Sequence, residues 1–268
     1  MIEETSTSEI YTGPAILCKG LVKSFPGKEV LRGIDFEVRS GTIFGYIGSN
    51  GAGKTTTVKI LTGMLGGYAG EVSVAGIDVQ GNPQEVKRRI GYVPEHSILY
   101  DGLTAWEYLQ LIGRLRSMEE ALIEHRAHEL LQVFDLFERA HSRLMTFSKG
   151  MRQKVMLCCA LLHDPDVLFL DEPMAGLDVE STIFLKDLIT SLASRGRTIF
   201  YCSHIMDVVE RVCDRIVILN DGLVAADGTF LELAKRKGEE SLEGLFTSLT
   251  GRRSSDARVA QVLDALDS

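Results

Sequence analysis

Residues 48–56 read GSNGAGKTT, and the reading of this stretch decides the fold. It fits G-x-x-x-x-G-K-[ST], and it lies between the apolar, β-branched run TIFGYI (42–47) and a segment carrying Val58, Ile60 and Leu61 at helical spacing. Gly48, Gly51 and Gly53, with Ser49, Asn50 and Ala52 between them, allow successive backbone N–H groups to converge on an anion. The helix that begins after Gly53 adds its positive end to the same point. Lys54 then brings a mobile charge to the β- and γ-phosphates of a nucleotide, and the Thr55 hydroxyl, followed by Thr56, is a ligand for Mg²⁺.

Outward from this loop, AILCKGLV, IDFEV, EVSVAG and IGYVP have strand character before and after it. Between about 104 and 163 strand signals give way to the helical spacing of TAWEYLQLIGRL and EEALIEHRAHELLQVFDLF. DVLFL, TIFYC and RIVIL then return as near-continuous apolar strands, each separated from the next by a helix-length segment, which implies a buried, mainly parallel sheet in an α/β fold. The expected organisation is a loose tail over 1–13, one domain over 14–250 with a helical part at about 97–163, and a terminal helix or tail over 251–268 that includes ARVAQVLDAL.

VLFLDEP (167–173) is a buried strand that ends in two carboxylates. Strand ends at the carboxyl edge of a parallel sheet are where open α/β folds bind ligands. Asp171 therefore suits the Mg²⁺-side acid, and Glu172 suits a base that orients or deprotonates water. Taken alone, the pair is equally an acidic helix cap; beside a phosphate loop the catalytic reading prevails.

The chain has 268 residues and a net charge of −8, so it is no general polyanion binder, and nucleic acid is not an expected partner. No apolar run reaches the length of a membrane span, and the N-terminal residues lack a signal pattern, which leads us to expect a cytoplasmic chain. Cys18, Cys158, Cys159, Cys202 and Cys213 form no C-x-x-C pair and read as reduced core thiols.

FSKGMRQK (147–154) puts Lys149, Arg152 and Lys154 in the first turns of a helix, where the macrodipole prefers anions. An external anion is the expected remedy. Together with GSNGAGKTT, VLFLDEP, GLD (176–178) and SH (203–204), in this order and across about 15–249, the stretch resembles the motif set of an ATP-binding subunit of an ABC transporter. The resemblance implies the P-loop NTPase fold of the ABC ATPase type, with an N-terminal antiparallel β subdomain and a helical subdomain beside the core sheet. It implies an ATPase that uses MgATP.

The same resemblance assigns further roles. FSKGM stands where the family most often has LSGGQ, so Ser148 and Gly150 would reach the γ-phosphate of ATP held by a second copy. Phe25 would stack on adenine, and Asp178 would communicate across the dimer. His204 would contact the γ-phosphate and position Glu172. His96, His125, His128, His141 and His163 are expected on surfaces or helix faces. Glu95 stands where the family has glutamine; as a hard oxygen donor it keeps a place on Mg²⁺, and it adds negative charge that raises the pKa of a neighbouring carboxylate. The implied partners are a second ATPase subunit, with a homodimer expected, and an integral membrane permease of export type on whose cytoplasmic face the chain would sit. Tyr100, Trp106 and Tyr108 are either contacts to that permease or core. An Fe–S assembly ATPase is the alternative within the family.

Overall fold

A computed structural model of the chain describes residues 13–96 and 98–251, together with 263, 265 and 266. The expected tail and most of the expected terminal helix thus lie outside the described residues.

The chain begins in an antiparallel layer: β1 (Ile16–Phe25) and β2 (Lys28–Val38) form a hairpin, and β4 (Ala69–Val74) with the two-residue β5 (Ile77–Asp78) completes the order β2-β1-β4-β5. Between β2 and β4 the chain leaves this layer to make β3 (Ile43–Gly48) and α1 (Lys54–Leu61). β3 belongs to a second sheet with β6 (Ile90–Val93), β7 (Val167–Asp171), β8 (Thr198–Cys202), β9 (Arg215–Asn220) and β10 (Leu223–Gly228), in the order β10-β9-β3-β8-β7-β6. Its pairs are parallel except the β9–β10 hairpin at one edge. This is the mainly parallel α/β sheet with an antiparallel β layer that the sequence led us to expect.

Strand alternation divides the core in two. Ile43, Ile47, Leu168, Leu170, Ile199 and Tyr201 face one side, where they join the helical elements, while Phe44, Tyr46, Phe169, Phe200 and Cys202 face the antiparallel layer and α1. On that second side Phe36, Phe44, Tyr46 and Phe200 form a tilted and stacked aromatic group with centroids 5.2 to 6.1 Å apart. Tyr46 also anchors α1 through its hydroxyl, 3.1 Å from Thr57 Oγ1. The helix after the phosphate loop is therefore clamped between two sheets.

The first side carries α3 (Ala105–Leu115), α4 (Glu120–Val133), α5 (Lys149–Leu161), α6 (Val179–Ser194) and α7 (Met206–Val212), followed by α8 (Phe230–Lys237) and α9 (Leu242–Thr250). α3 starts on a capping box in which Thr104 and Glu107 exchange hydrogen bonds. α3, α4 and α5 bury Leu109, Ala127, Leu131, Val155 and Leu157 in the same core as the sheet. Tyr108 is packed there too and Trp106 is half-buried against it, so of the three aromatics weighed as permease contacts only Tyr100 is fully exposed.

Four cysteines are buried and Cys213 is half-buried; all five thiols are free. His163 departs from the surface position expected for it. It is half-buried, with Nε2 2.9 Å from Ile90 O and 2.8 Å from Arg116 Nη1, and burial together with Arg116 lowers its pKa to about 4. The β10 strand and α2 (Pro83–Arg89) were not anticipated: LVAADG is weak in β-formers and lies at a sheet edge, and seven residues are too few to show a helical period.

Gly91 sets how closely α5 approaches β6, since a Cβ there would collide with Ala160 O and with Leu168 Cδ1. Gly91→Ala is expected to lower the urea unfolding midpoint, with a loss of about 1–3 kcal/mol in fitted stability.

Candidate functional site

β3, β8 and β7 are neighbours, and their carboxyl ends deliver the three parts of one site. The loop after β3 holds the residues expected to bind phosphate, β7 ends at Asp171 with Glu172 directly after it, and the segment after β8 carries Ser203 and His204. A cleft is lined by Lys28, Val30, Asn50, Gly51, Gly53, Lys54, Thr55, Thr56, Glu95, Asp171, Glu172 and His204, with a volume near 780 Å³. A smaller cavity of about 300 Å³ between α4, α5 and α6 lies away from this chemistry and is lined by apolar side chains, among them Phe134, Leu157 and Leu185, together with the polar Asp135, Lys154, Asp178 and Glu180.

Within the loop, Lys54 Nζ donates to Gly48 O at 2.6 Å and to Ser49 O at 3.1 Å, while Ala52 is buried beneath. Gly53 has φ 112°, and an added Cβ would sit 2.5 Å from Leu31 Cδ2, so only glycine fits at the mouth of α1. The first turn of α1 contains no acid, which leaves its positive end for an anionic ligand.

Glu172 is the most constrained side chain of the site. Its φ is +49°, in the left-handed region that a non-glycine residue adopts at a cost of about 1–3 kcal/mol. Backbone bonds from Glu172 N to Cys202 O and from Ala175 N to Glu172 O fix this turn. Both carboxylate oxygens are engaged: His204 Nδ1 lies 2.6 Å from Oε1, and Ser203 Oγ donates to Oε2 at 3.0 Å. With the carboxylate ionised, the imidazole donates from Nδ1, and the highly exposed ring keeps Nε2 available. The motif resemblance assigns no role to Ser203, whose signal in the sequence is its adjacency to a strand-end histidine.

Asp171 is 6% exposed, and its pKa is pushed up to about 6, by burial first and then by Glu95 and Glu172, with Lys54 acting in the opposite direction. The negative charge that Glu95 brings is thus felt at the neighbouring carboxylate.

Ser148 caps α5, its Oγ accepting from Met151 N at 3.3 Å. Neither Ser148 nor Gly150 lines the cleft. Two of the three cations that called for an external anion have partners within the chain: Arg152 Nη1 is 2.6 Å from Asp101 Oδ1, and Lys154 Nζ is 3.9 Å from Asp135 Oδ2. Of the three, Lys149, whose stem lies along Gly176, makes no ion pair among the described residues. Asp178 caps α6 by accepting from Ser181 N at 2.7 Å, and this bond holds its carboxyl below the usual range. Phe25 lies at the end of β1 opposite Lys28, a cleft residue, and is 42% exposed.

Residues 31–175 match the family model described as ABC transporter. The linearmycin resistance ATP-binding protein LnrL of Bacillus subtilis (strain 168) is 35% identical over 230 residues, which span 86% of this chain and 74% of that protein. A solved structure of an ATP-binding subunit of an ABC transporter aligns with a TM-score of 0.83 at 35% identity, over 88% of this chain and 99% of that one. A dimeric ATP-binding cassette in a post-hydrolysis state, bound to ADP and Pi, shares the fold with a TM-score of 0.74 at 24% identity, over 80% of this chain and 98% of that one.

The raised pKa of Asp171 has a consequence for stability. Its folded value of about 6 exceeds the ordinary 3.8, so its favourable contribution is complete below about 3.8 and is lost as pH rises through about 6. Asp171→Asn is expected to stabilise the ligand-free protein by about 1–3 kcal/mol at pH 7.5 and by much less at pH 3.5, measured by urea unfolding in chelator. The same variant is expected to lose ATP hydrolysis.

Proposed function

The chain belongs to the ABC transporter family as an ATP-binding, ATP-hydrolysing subunit, and from that membership we propose that two copies clamp MgATP between them and so drive a separate membrane permease. One observation carries the shared-site reading. The cleft holds the phosphate loop, the carboxylates and His204, yet Ser148 and Gly150 of the same chain are not part of its lining. They stand beside Gly176, where a Cβ on Gly150 would come within 2.7 Å of Gly176 O, so the capped start of α5 and the 176–178 turn form one continuous edge. On this reading the edge, with Asp178, meets the nucleotide of the second copy, whose dimeric counterpart in the fold supports the pairing.

In the proposed reaction the loop N–H groups and Lys54 hold the phosphates, and Phe25 takes the adenine. Thr55, Glu95 and Asp171 would hold Mg²⁺. The fit is chemical: a hydroxyl and two carboxylates, all hard oxygen donors, line one cleft, and the repulsion that raises Asp171 is relieved by a divalent cation. When bound, Mg²⁺ neutralises charge on the phosphate oxygens. Glu172 accepts a proton from water as the water oxygen bonds to the γ-phosphorus and the bond to the β-bridging oxygen breaks. His204 and Ser203 keep both carboxylate oxygens aimed during this step.

The permease reading rests on exposed apolar side chains near the Glu95 loop: Ile98, Tyr100 and Met145 are 83%, 68% and 67% exposed. Among the described residues no helix is long and apolar enough to cross a membrane, so attachment at the cytoplasmic face would come through that partner. LnrL is named as a resistance protein, which supports export as the direction. An Fe–S assembly role is not favoured, because the similar proteins are transporter subunits.

Extraction of the tagged chain in mild detergent is expected to bring down a polytopic membrane protein; reproducible recovery of the chain alone would count against the transport reading. Ser148→Arg is expected to bind ATP normally, to fail to dimerise on gel filtration, and to hydrolyse ATP about 100-fold more slowly or less. Wild-type turnover in that variant would overturn the shared site. Glu95→Gln is expected to keep ATPase activity within a few-fold of wild type in a phosphate-release assay, since the amide oxygen preserves a metal ligand.

A further inference from the structure

Lys23 occupies an inward position on β1, in register with Leu21, where strand alternation calls for an apolar side chain. It is only 8% exposed, and it forms no ion pair among the described residues. A buried ammonium is costly unless it is compensated. Two compensations are visible. Nζ donates to Gly66 O at 2.8 Å and to Gly67 O at 2.7 Å, and it stands 5.1 Å from the centroid of the Phe25 ring, within cation–π range.

This arrangement links the antiparallel layer to the segment after α1. Gly66 and Gly67 belong to the segment that leaves α1, the helix whose start is the phosphate loop, and Phe25 is the last residue of the strand opposite cleft residue Lys28. The ammonium backs the ring, and the 42% of Phe25 that is exposed is left for a stacking partner.

We propose that Lys23 is a positioning residue for the nucleotide base: pinned on the Gly66 and Gly67 carbonyls, its ammonium fixes one face of Phe25 so that the exposed part of the ring is set in advance to stack on the purine. This rests on the reading of Phe25 as the adenine-stacking residue. The ammonium also draws π density toward itself, which lessens repulsion between Phe25 and a second aromatic system on its outer face. Because the ring is held beforehand, less ordering remains to be done on binding.

The test is calorimetric titration of the full chain with ATP and, separately, with inorganic tripolyphosphate, which has no base. Lys23→Met is expected to weaken ATP binding about 3- to 10-fold and to leave tripolyphosphate binding unchanged. Lys23→Arg, which keeps a cation over the ring, is expected to retain ATP affinity, and Lys23→Gln, which removes the charge but can still donate to a carbonyl, replaces the Met variant with the same expected losses if the Met variant does not fold. In a Phe25→Ala background, Lys23→Met is expected to add less than about a 2-fold change. Equal losses for ATP and tripolyphosphate, or an undiminished loss in the Phe25→Ala background, would overturn the inference by showing that Lys23 merely holds the 66–67 segment. If Phe25→Ala alone leaves ATP affinity unchanged, the stacking reading itself fails, a result separate from the first.

Discussion

Three carboxylates share a small volume where β7 and the loop after β6 meet the phosphate loop, and one lysine is set against them. Asp171, Glu172 and Glu95 line the cleft that Lys54 enters, and the repulsion registers as the raised pKa of Asp171. Such crowding is tolerable only because the surroundings are rigid. Neighbouring parallel strands fix where β3, β8 and β7 end, and Glu172 is held in a left-handed turn by bonds to β8 and to its own following residues. Strain and charge repulsion are thus concentrated where a nucleotide and a cation would relieve them, which is the usual direction of a stability–function compromise.

The packing of α5 gives this tension a route to the rest of the chain. Gln153, 2% exposed, donates from Nε2 to Pro173 O at 3.1 Å, one residue beyond Glu172. At its start α5 meets Gly176 through Gly150, and along its length it packs on β6, which leads into the Glu95 loop. α5 therefore contacts both Gly176 and the residue that follows Glu172.

Much of this was legible in the sequence because backbone geometry and motif chemistry coincide there. The phosphate loop had to follow a strand and open a helix, and β3 and α1 do so; the continuous apolar character of 167–170 required a strand buried on both faces, and β7 is one. What escaped depended on contacts distant in sequence. No local pattern says that Arg152 finds Asp101 or that Lys154 finds Asp135, so these ion pairs could not be read from FSKGMRQK. Asp178 was read for its place in the GLD motif, and its work as a helix cap is visible only once α6 is seen to begin after it.

Lys23 illustrates the same limit from the opposite side. In the linear sequence, VKSF has a polar residue at an inward strand position, a pattern that argues weakly against a strand; the structure instead supplies two carbonyls and an aromatic face, which suit a lysine at that position. The pairing of β1 with β2 then sets Phe25 opposite Lys28 at the cleft, while the 66–67 carbonyls come from the far end of α1. One buried cation thereby ties the antiparallel layer to the helix that carries the phosphate loop. If Phe25 stacks on adenine as proposed, the two layers meet the two ends of one nucleotide, and a fixed separation between them lets base stacking and phosphate binding occur together.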